Sequence, residues 1–211
     1  MEAIALGGVP YAVALMRAIA VVQAGGVIIS PTDTVYGLVC NGFNESAVRK
    51  MFAIKHRPQE KAFPIFVRDI AMARRYAYIS DVKARMLEKI WPGAVTAVFH
   101  HKEKLPPVLT GGRNTIGIRI LDHPFLAALL AKLDMPLAQT SANIAELPPA
   151  RTAAEAAAYF EKNPDQPDLI IDGGEISSIS STVIDCTGAS PLILRSGIVS
   201  KADIDRLLGN A

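Results

Sequence analysis

The chain has 211 residues, half of them hydrophobic, and its 22 Lys and Arg against 20 Asp and Glu leave a formal net charge of +2. This length and apolar content predict a single α/β domain over residues 1–211 with one sizeable core, while that net charge is too small to identify a nucleic-acid binder by global charge, so any basic surface is local. Apolar runs break at Arg, Gln, Gly or Pro well short of the roughly 20 residues that span a bilayer, and Glu2 with no basic stretch before the first apolar residues does not read as a secretory signal, which leaves the cytoplasm as the expected location.

A helix is predicted from about Tyr11 to Ala24, where Leu15, Ile19 and Val22 recur at helical spacing and Gly25-Gly26 stops the run. Val27 to Ser30 reads as a short buried strand leading into the turn-rich Pro31-Thr32-Asp33-Thr34. A second helix follows over Ser46 to His56, with Val48, Met51 and Phe52 on one face, cations at its C-terminal end and Pro58 forbidding continuation. Phe63 to Val67 is strand-like, and helices are expected over Asp69 to Tyr76 and Asp81 to Ile90. Two further strands, Val95 to Phe99 and Thr115 to Ile120, flank a Pro/Gly loop from Leu105 to Asn114. A helix carrying Phe125 or Leu126, Leu129, Leu130 and Leu133 precedes a strand at Pro136 to Gln139, a polar loop from Thr140 to Arg151, and an alanine-rich helix over Thr152 to Lys162. Short strands at Leu169 to Ile171, Thr182 to Cys186 and Leu192 to Arg195 lead to a closing helix at Lys201 to Leu208. Helices and strands interleave throughout, which predicts a layered α/β domain with a mixed sheet. The Ser-rich run opening at Gly173-Gly174 and ending at Ser181 is the candidate mobile loop. Cys40 and Cys186 lie in apolar contexts and read as core thiols, although pairing between them stays open.

Four segments combine polar groups with loop positions, where α/β proteins place their sites. Pro31 to Leu38 offers the Thr32 and Thr34 hydroxyls, the Asp33 carboxylate and the open backbone of Gly37; taken alone it reads first as a turn satisfying its own donors. Lys55-His56-Arg57-Pro58, with Lys61 close behind, is a cluster of positive charge fit to hold a triphosphate, and equally an ordinary solvated helix end. Thr110 to Thr115, leading to Arg119, joins flexible backbone to guanidinium groups that can grip a carboxylate in a two-pronged fashion, or forms a plain connection with an exposed Arg. Thr140-Ser141-Ala142-Asn143 could hydrogen-bond a nucleotide or simply turn the chain. His100-His101 reads as a strand-end surface pair. The chain contains no Gly-x4-Gly-Lys-Ser/Thr loop, Gly-x-Gly-x-x-Gly, Gly-x-Ser-x-Gly or His-Glu-x-x-His, so a nucleotide would have to be held by other means.

Taken in order, these segments resemble the YrdC/YciO family. The carriers are Pro31-Thr-Asp-Thr-Val-Tyr-Gly-Leu38, Lys55-His-Arg-Pro58, Trp91-Pro-Gly93 with Thr96, Ile118-Arg119 with His123-Pro124, Ser141-Ala-Asn143, Ser181-Thr-Val-Ile-Asp185 and Leu194-Arg195-Ser-Gly197. The resemblance implies a twisted mixed sheet flanked by helices around a large basic cavity. It also implies threonylcarbamoyl-AMP synthase activity, using L-threonine, bicarbonate and ATP to form an adenylate that serves modification of an adenosine in tRNA.

By the same resemblance, Lys55 and Arg57 hold the phosphates and offset charge in the transition state. Thr32, Arg119 and Ser181 bind threonine, with Arg119 on its carboxylate, and Thr115, Ser141, Asn143 and Arg195 contact the nucleotide. Mg²⁺ travels with ATP and needs no dedicated protein metal site. The implied partners are tRNA or double-stranded RNA and the downstream threonylcarbamoyl transferase proteins, with no membrane. The chain is expected to stop after the core domain, without the additional C-terminal domain of longer relatives.

Many relatives follow Ser-Ala-Asn with a Ser-Gly-x-Pro-Ser type run, whereas this chain has Ile144-Ala-Glu-Leu-Pro-Pro-Ala150, and Lys61 stands where Asn is frequent. These departures motivate an alternative, a non-catalytic YciO-like paralogue binding RNA or nucleotide in the same cavity. A third possibility keeps the chemistry and exchanges threonine for carbamoyl phosphate or another amino acid.

Overall fold

Alternation along the strands decides which side of the sheet each residue serves, and that choice places the cavity. The computed structural model describes residues 1–177 and 179–208. The chain opens with β1 (Glu2–Ala5), an edge strand too exposed and too short to show a period in sequence. It continues through α1 (Tyr11–Gln23), β2 (Ile28–Ser30) and β3 (Gly37–Asn41). β3 was not expected, because the Gly and Asn that bound it are poor strand formers; the pairing of both its edges overrides that preference.

Next comes α2 (Glu45–Lys55), begun by Asn44, whose side chain accepts from the Ala47 amide at 3.0 Å. After β4 (Ile65–Phe66), α3 (Ile70–Tyr76) and α4 (Asp81–Leu87) start at Asp69 and Ser80 caps. The expected strand at Phe63 to Val67 thus contracts to two paired residues. β5 (Val95–His100), α5 (Pro107–Thr110), β6 (Thr115–Arg119) and α6 (Pro124–Leu133) follow. The single turn of α5 sits in what sequence read as a loop; Pro at its first position and Gly111 in the left-handed region bracket it too tightly for any helical period to register. β7 (Leu137–Ser141) runs two residues further than expected, because Thr140 and Ser141 pair with Leu38 and Gly37. The rest is α7 (Ala153–Phe160), β8 (Leu169–Asp172), β9 (Thr182–Asp185), β10 (Leu192–Arg195) and α8 (Lys201–Leu208).

All ten strands join one mixed sheet in the order β1-β8-β2-β3-β7-β4-β6-β5-β9-β10. The β1/β8, β8/β2, β4/β6 and β5/β9 pairs are parallel and the others antiparallel. On one face Ile29, Leu38, Cys40, Ile65, Ala138, Ile118, Ala97 and Ile184 form a continuous core with residues of α2, α3, α4 and α7. On the other face their neighbours Ile28, Val39, Phe66, Leu137 and Leu169 pack against α1 and α6. No residue of β5, β6 or β9 joins this second cluster. Their residues on that face, including Thr96, Val98, Gly117, Arg119 and Val183, instead line an open hollow.

The segment from Gly173 to Ser181, expected as a mobile loop, connects β8 to β9 without regular structure over its described residues; Ser178 lies outside them. Its start is tied down by Tyr36, whose hydroxyl accepts from the Gly173 amide (3.0 Å) and donates to the Gly174 carbonyl (2.7 Å). Both cysteines are buried and unpaired. No helix among the described residues is long and apolar enough to cross a membrane.

Candidate functional site

The hollow encloses about 320 Å³, and its floor is the face of β6, β5 and β9 left bare by α1 and α6, bordered by Phe66 of β4 and Gln139 of β7. Gly117 keeps that floor low: a Cβ there would stand 3.0 Å from Pro64 Cβ and 3.2 Å from Thr96 Cγ2. Thr32, Arg57, Arg119, Ser141, Ser181 and Arg195 all line this one cavity, although up to 163 positions separate them along the chain (195 − 32). Thr115 lies in an adjoining, more open hollow that shares Arg57, Ala62, Val98 and Gly117 with the first and adds Lys61 and Arg113. Lys55 and Asn143 stand behind the wall at Ser141 rather than in it.

The end of α2 delivers the first two cations. His56 takes the left-handed conformation (φ 51°), its amide bonding Ala53 O and that of Arg57 bonding Phe52 O, so the chain reverses there. Asn163 fixes the reversal, bonding His56 Nε2 at 2.7 Å and donating to Ile54 O at 2.9 Å. Lys55 is thereby turned inward, 2% exposed, and its Nζ donates to Ser141 O (2.8 Å) and Asn143 Oδ1 (2.9 Å). Burial, reinforced by the neighbouring charge of Arg57, pulls its pKa down to about 7. Arg57 lies over the Phe63 ring and donates to the carbonyls of Lys61 and Ala62. Burial first, and then the charge of Arg113, lower its pKa.

Arg119 ends β6 and is 3% exposed. Alternation puts it on the cavity face, opposite Ile116 and Ile118 in the core. Its Nε donates to Gly93 O (2.9 Å), Nη1 to Thr34 Oγ1 (3.3 Å) and Nη2 to Asp33 Oδ1 (2.5 Å). Burial lowers its pKa and the Asp33 carboxylate opposes that shift. Deleting one partner of so buried a pair costs on the order of 3–5 kcal/mol. Arg195, from β10, donates to Ser181 O at 2.8 Å, and Ser181 Oγ sits 3.1 Å from Thr96 Oγ1. Burial lowers the pKa of Arg195. Among the described residues only Arg119, of these four cations, has a carboxylate partner. The Thr32 hydroxyl serves its own turn, accepting from the amides of Thr34 and Val35 and donating to Val35 O.

Three cavity cations and one buried lysine beside them, three of the four without counter-charge, make a receptor for anions. No Asp, Glu, His or Cys lines the cavity among the described residues, so its hydroxyls have no adjacent base to activate them. Nor is any group of three or more His, Cys, Asp or Glu there placed to hold a metal ion. Sequence reading passed over Gly117 and Gln139 as site residues, offered Thr34 only as one of the hydroxyls of its turn, and quoted Thr96 without a role. The available signal was alternation: Ile116, Ile118 and Ile120 on one face leave Gly117 and Arg119 on the other.

The Sua5/YciO/YrdC family model, described as telomere recombination, matches residues 20–197, which contain every cavity residue named above. The chain belongs to this family. The threonylcarbamoyl-AMP synthase of Bacillus subtilis is 33% identical over 204 residues, covering 92% of this chain and 56% of that protein. The enzyme of the same name from Pseudomonas aeruginosa PAO1 is 39% identical over 154 residues, covering 72% and 81%. Among solved structures of the Sua5/YciO/YrdC type, Pyrococcus abyssi Sua5 complexed with L-threonine superposes with a TM-score of 0.89 at 31% identity, over 99% of this chain and 60% of that one. YciO of E. coli does so with a TM-score of 0.82 at 29% identity, over 93% and 95%. The chain spans a little over half the length of the B. subtilis and P. abyssi relatives.

Proposed function

We propose that this chain forms threonylcarbamoyl adenylate from L-threonine, bicarbonate and Mg²⁺-bound ATP. The observation that carries the reading is the convergence of Arg57, Arg119 and Arg195 on one cavity, with Lys55 at its wall and no lining carboxylate, histidine or cysteine. Such a cavity suits a reaction in which the substrates supply both nucleophile and leaving group. The threonine nitrogen takes up carbon dioxide from bicarbonate, with loss of water and a proton to solvent. A carbamate oxygen then attacks the α-phosphorus as the bond to the β-phosphate oxygen breaks, and pyrophosphate leaves.

Arg57 faces the phosphates and Lys55 adds its charge from behind the wall at Ser141, where fixed positive charge in a partly dry site stabilises the developing negative charge. The spare N–H groups of Arg119 take the threonine carboxylate, with Thr32 shaping the adjoining turn and Ser181 closing that side. Ser141 and Arg195 contact the nucleotide, with Thr115 on its path into the adjoining hollow, while Asn143, expected as a further contact, is engaged by Lys55 and the Leu147 carbonyl behind the wall and acts by holding the lysine. Positioning two reactants in this way accounts for much of the rate without a covalent intermediate. The adenylate is a reactive mixed anhydride, so a transferase must consume it. The exposed cations Lys61 and Arg113 at the mouth support a tRNA or double-stranded RNA partner. The test is pyrophosphate release: it should require ATP, threonine and bicarbonate together, and release indifferent to threonine would refute the reading.

A second reading rests on the segment after Asn143. Its side chain is occupied by Lys55 and the Leu147 carbonyl, and the Ala145 amide bonds Lys55 O, so a loop without hydroxyls packs over the lysine. A non-catalytic paralogue holding nucleotide or RNA would then show affinity that falls steeply with salt and no pyrophosphate release.

A further inference from the structure

We infer that Asp33 is a positioning residue that fixes the fork of Arg119 for a substrate carboxylate. The inference rests on the reading that places threonine at Arg119.

A guanidinium has five N–H donors. Three are used here, on Gly93 O, Thr34 Oγ1 and Asp33 Oδ1, which leaves one on each terminal nitrogen in a residue that lines the cavity. Two parallel donors from the terminal nitrogens are what a planar carboxylate accepts, provided the plane of the fork is held. Nε is held by backbone and Nη1 by a long hydroxyl contact, so the short bond from Nη2 to Asp33 is the strongest restraint on that plane. Asp33 is itself restrained: its second oxygen accepts the Asp122 amide at 3.1 Å, and its side chain is 12% exposed. It therefore ties the turn after β2 to the turn before α6 and sets Arg119 between them.

Positioning and simple charge have opposite consequences. Asp33 neutralises Arg119, so if charge alone mattered, removing the carboxylate would strengthen the hold on an incoming anion. If orientation matters, removing it weakens that hold, because the freed guanidinium rotates among partners. The sign of the effect decides between them.

Isothermal titration of L-threonine and of Mg²⁺-bound ATP into the wild type, Asp33→Ala, Asp33→Asn and Arg119→Ala tests this. Asp33→Ala should weaken threonine at least about tenfold and leave ATP affinity within about twofold. Asp33→Asn should fall between, since its amide oxygen still accepts from Arg119 but its nitrogen cannot accept from Asp122. The preference for threonine over threonine amide should shrink in both, which mere loosening of the fold would not produce. If Asp33→Ala fails to fold, the Asn variant decides. Threonine bound as tightly or more tightly by the Asp33 variants, with binding lost in Arg119→Ala, overturns the inference and leaves the threonine site standing. Threonine bound equally by the wild type and Arg119→Ala, or by neither, overturns both.

Discussion

Lys55 should make triphosphate binding steeply pH-dependent in a range where ATP itself no longer titrates. Its pKa is about 7, because burial and the Arg57 charge disfavour the ammonium form and no carboxylate among the described residues compensates. A bound triphosphate supplies the missing negative charge and restores the proton. If only the charged lysine binds, the apparent dissociation constant scales with the reciprocal of the charged fraction. It then rises roughly 25-fold between about pH 7.5 and about pH 9. Binding at about pH 8 should take up roughly 0.9 proton, measurable by titration calorimetry of Mg²⁺-bound ATP in buffers of different ionisation enthalpy. Lys55→Arg, whose charge is permanent, should bind with a flat profile, and Lys55→Met should bind weakly and flatly. Wild-type affinity that stays constant across this range, with binding still lost in Lys55→Met, would show a lysine charged throughout and refute the argument from burial. The sign for folding is separate: the unfolded chain holds this proton up to about pH 10.5, so the Lys55 contribution to stability improves as pH rises from about 7 toward that value.

Gly117→Val should fill the cavity floor beside Pro64 and Thr96 and abolish threonine binding, while circular dichroism stays native. Gly197→Ala should destabilise the fold by about 2 kcal/mol or more, read from urea unfolding, because its Cβ would collide with the backbone of Ser180, Ser181 and Thr182. The Cys40 and Cys186 thiols, both pushed up to about 12 by burial, should resist alkylation at neutral pH in the native protein and react promptly in denaturant.

Much of the fold was legible because apolar spacing and caps coincide with the elements formed. The helices at Tyr11 and Pro124 follow their Leu and Ile periods, and the helices begun by Asp69 and Thr152 start where a capping side chain stands. β1 and β3 were not legible, since their stability comes from pairing partners distant in sequence and not from their own residues. The cations at 55, 57, 119 and 195 could be named from residue type and order, and Arg119 could be placed by alternation with its isoleucines.

The particular partners of those cations were another matter. That Asp33 engages Arg119, or that Lys55 reaches Ser141 from the far end of α2, depends on the crossing of strands and on the reversal at His56. Neither leaves a trace in local composition. The Thr32 hydroxyl shows the converse, since the local turn reading described its bonds correctly even though the residue also borders the cavity.

Mass-spectrometric detection of the mixed anhydride bears most directly on whether the converging cations make an adenylating site. With ATP, L-threonine and bicarbonate present, the wild type should accumulate threonylcarbamoyl adenylate in step with pyrophosphate, and Lys55→Ala should accumulate almost none. A wild-type protein that binds ATP and threonine yet yields no anhydride, or a Lys55→Ala variant that yields as much, would contradict it.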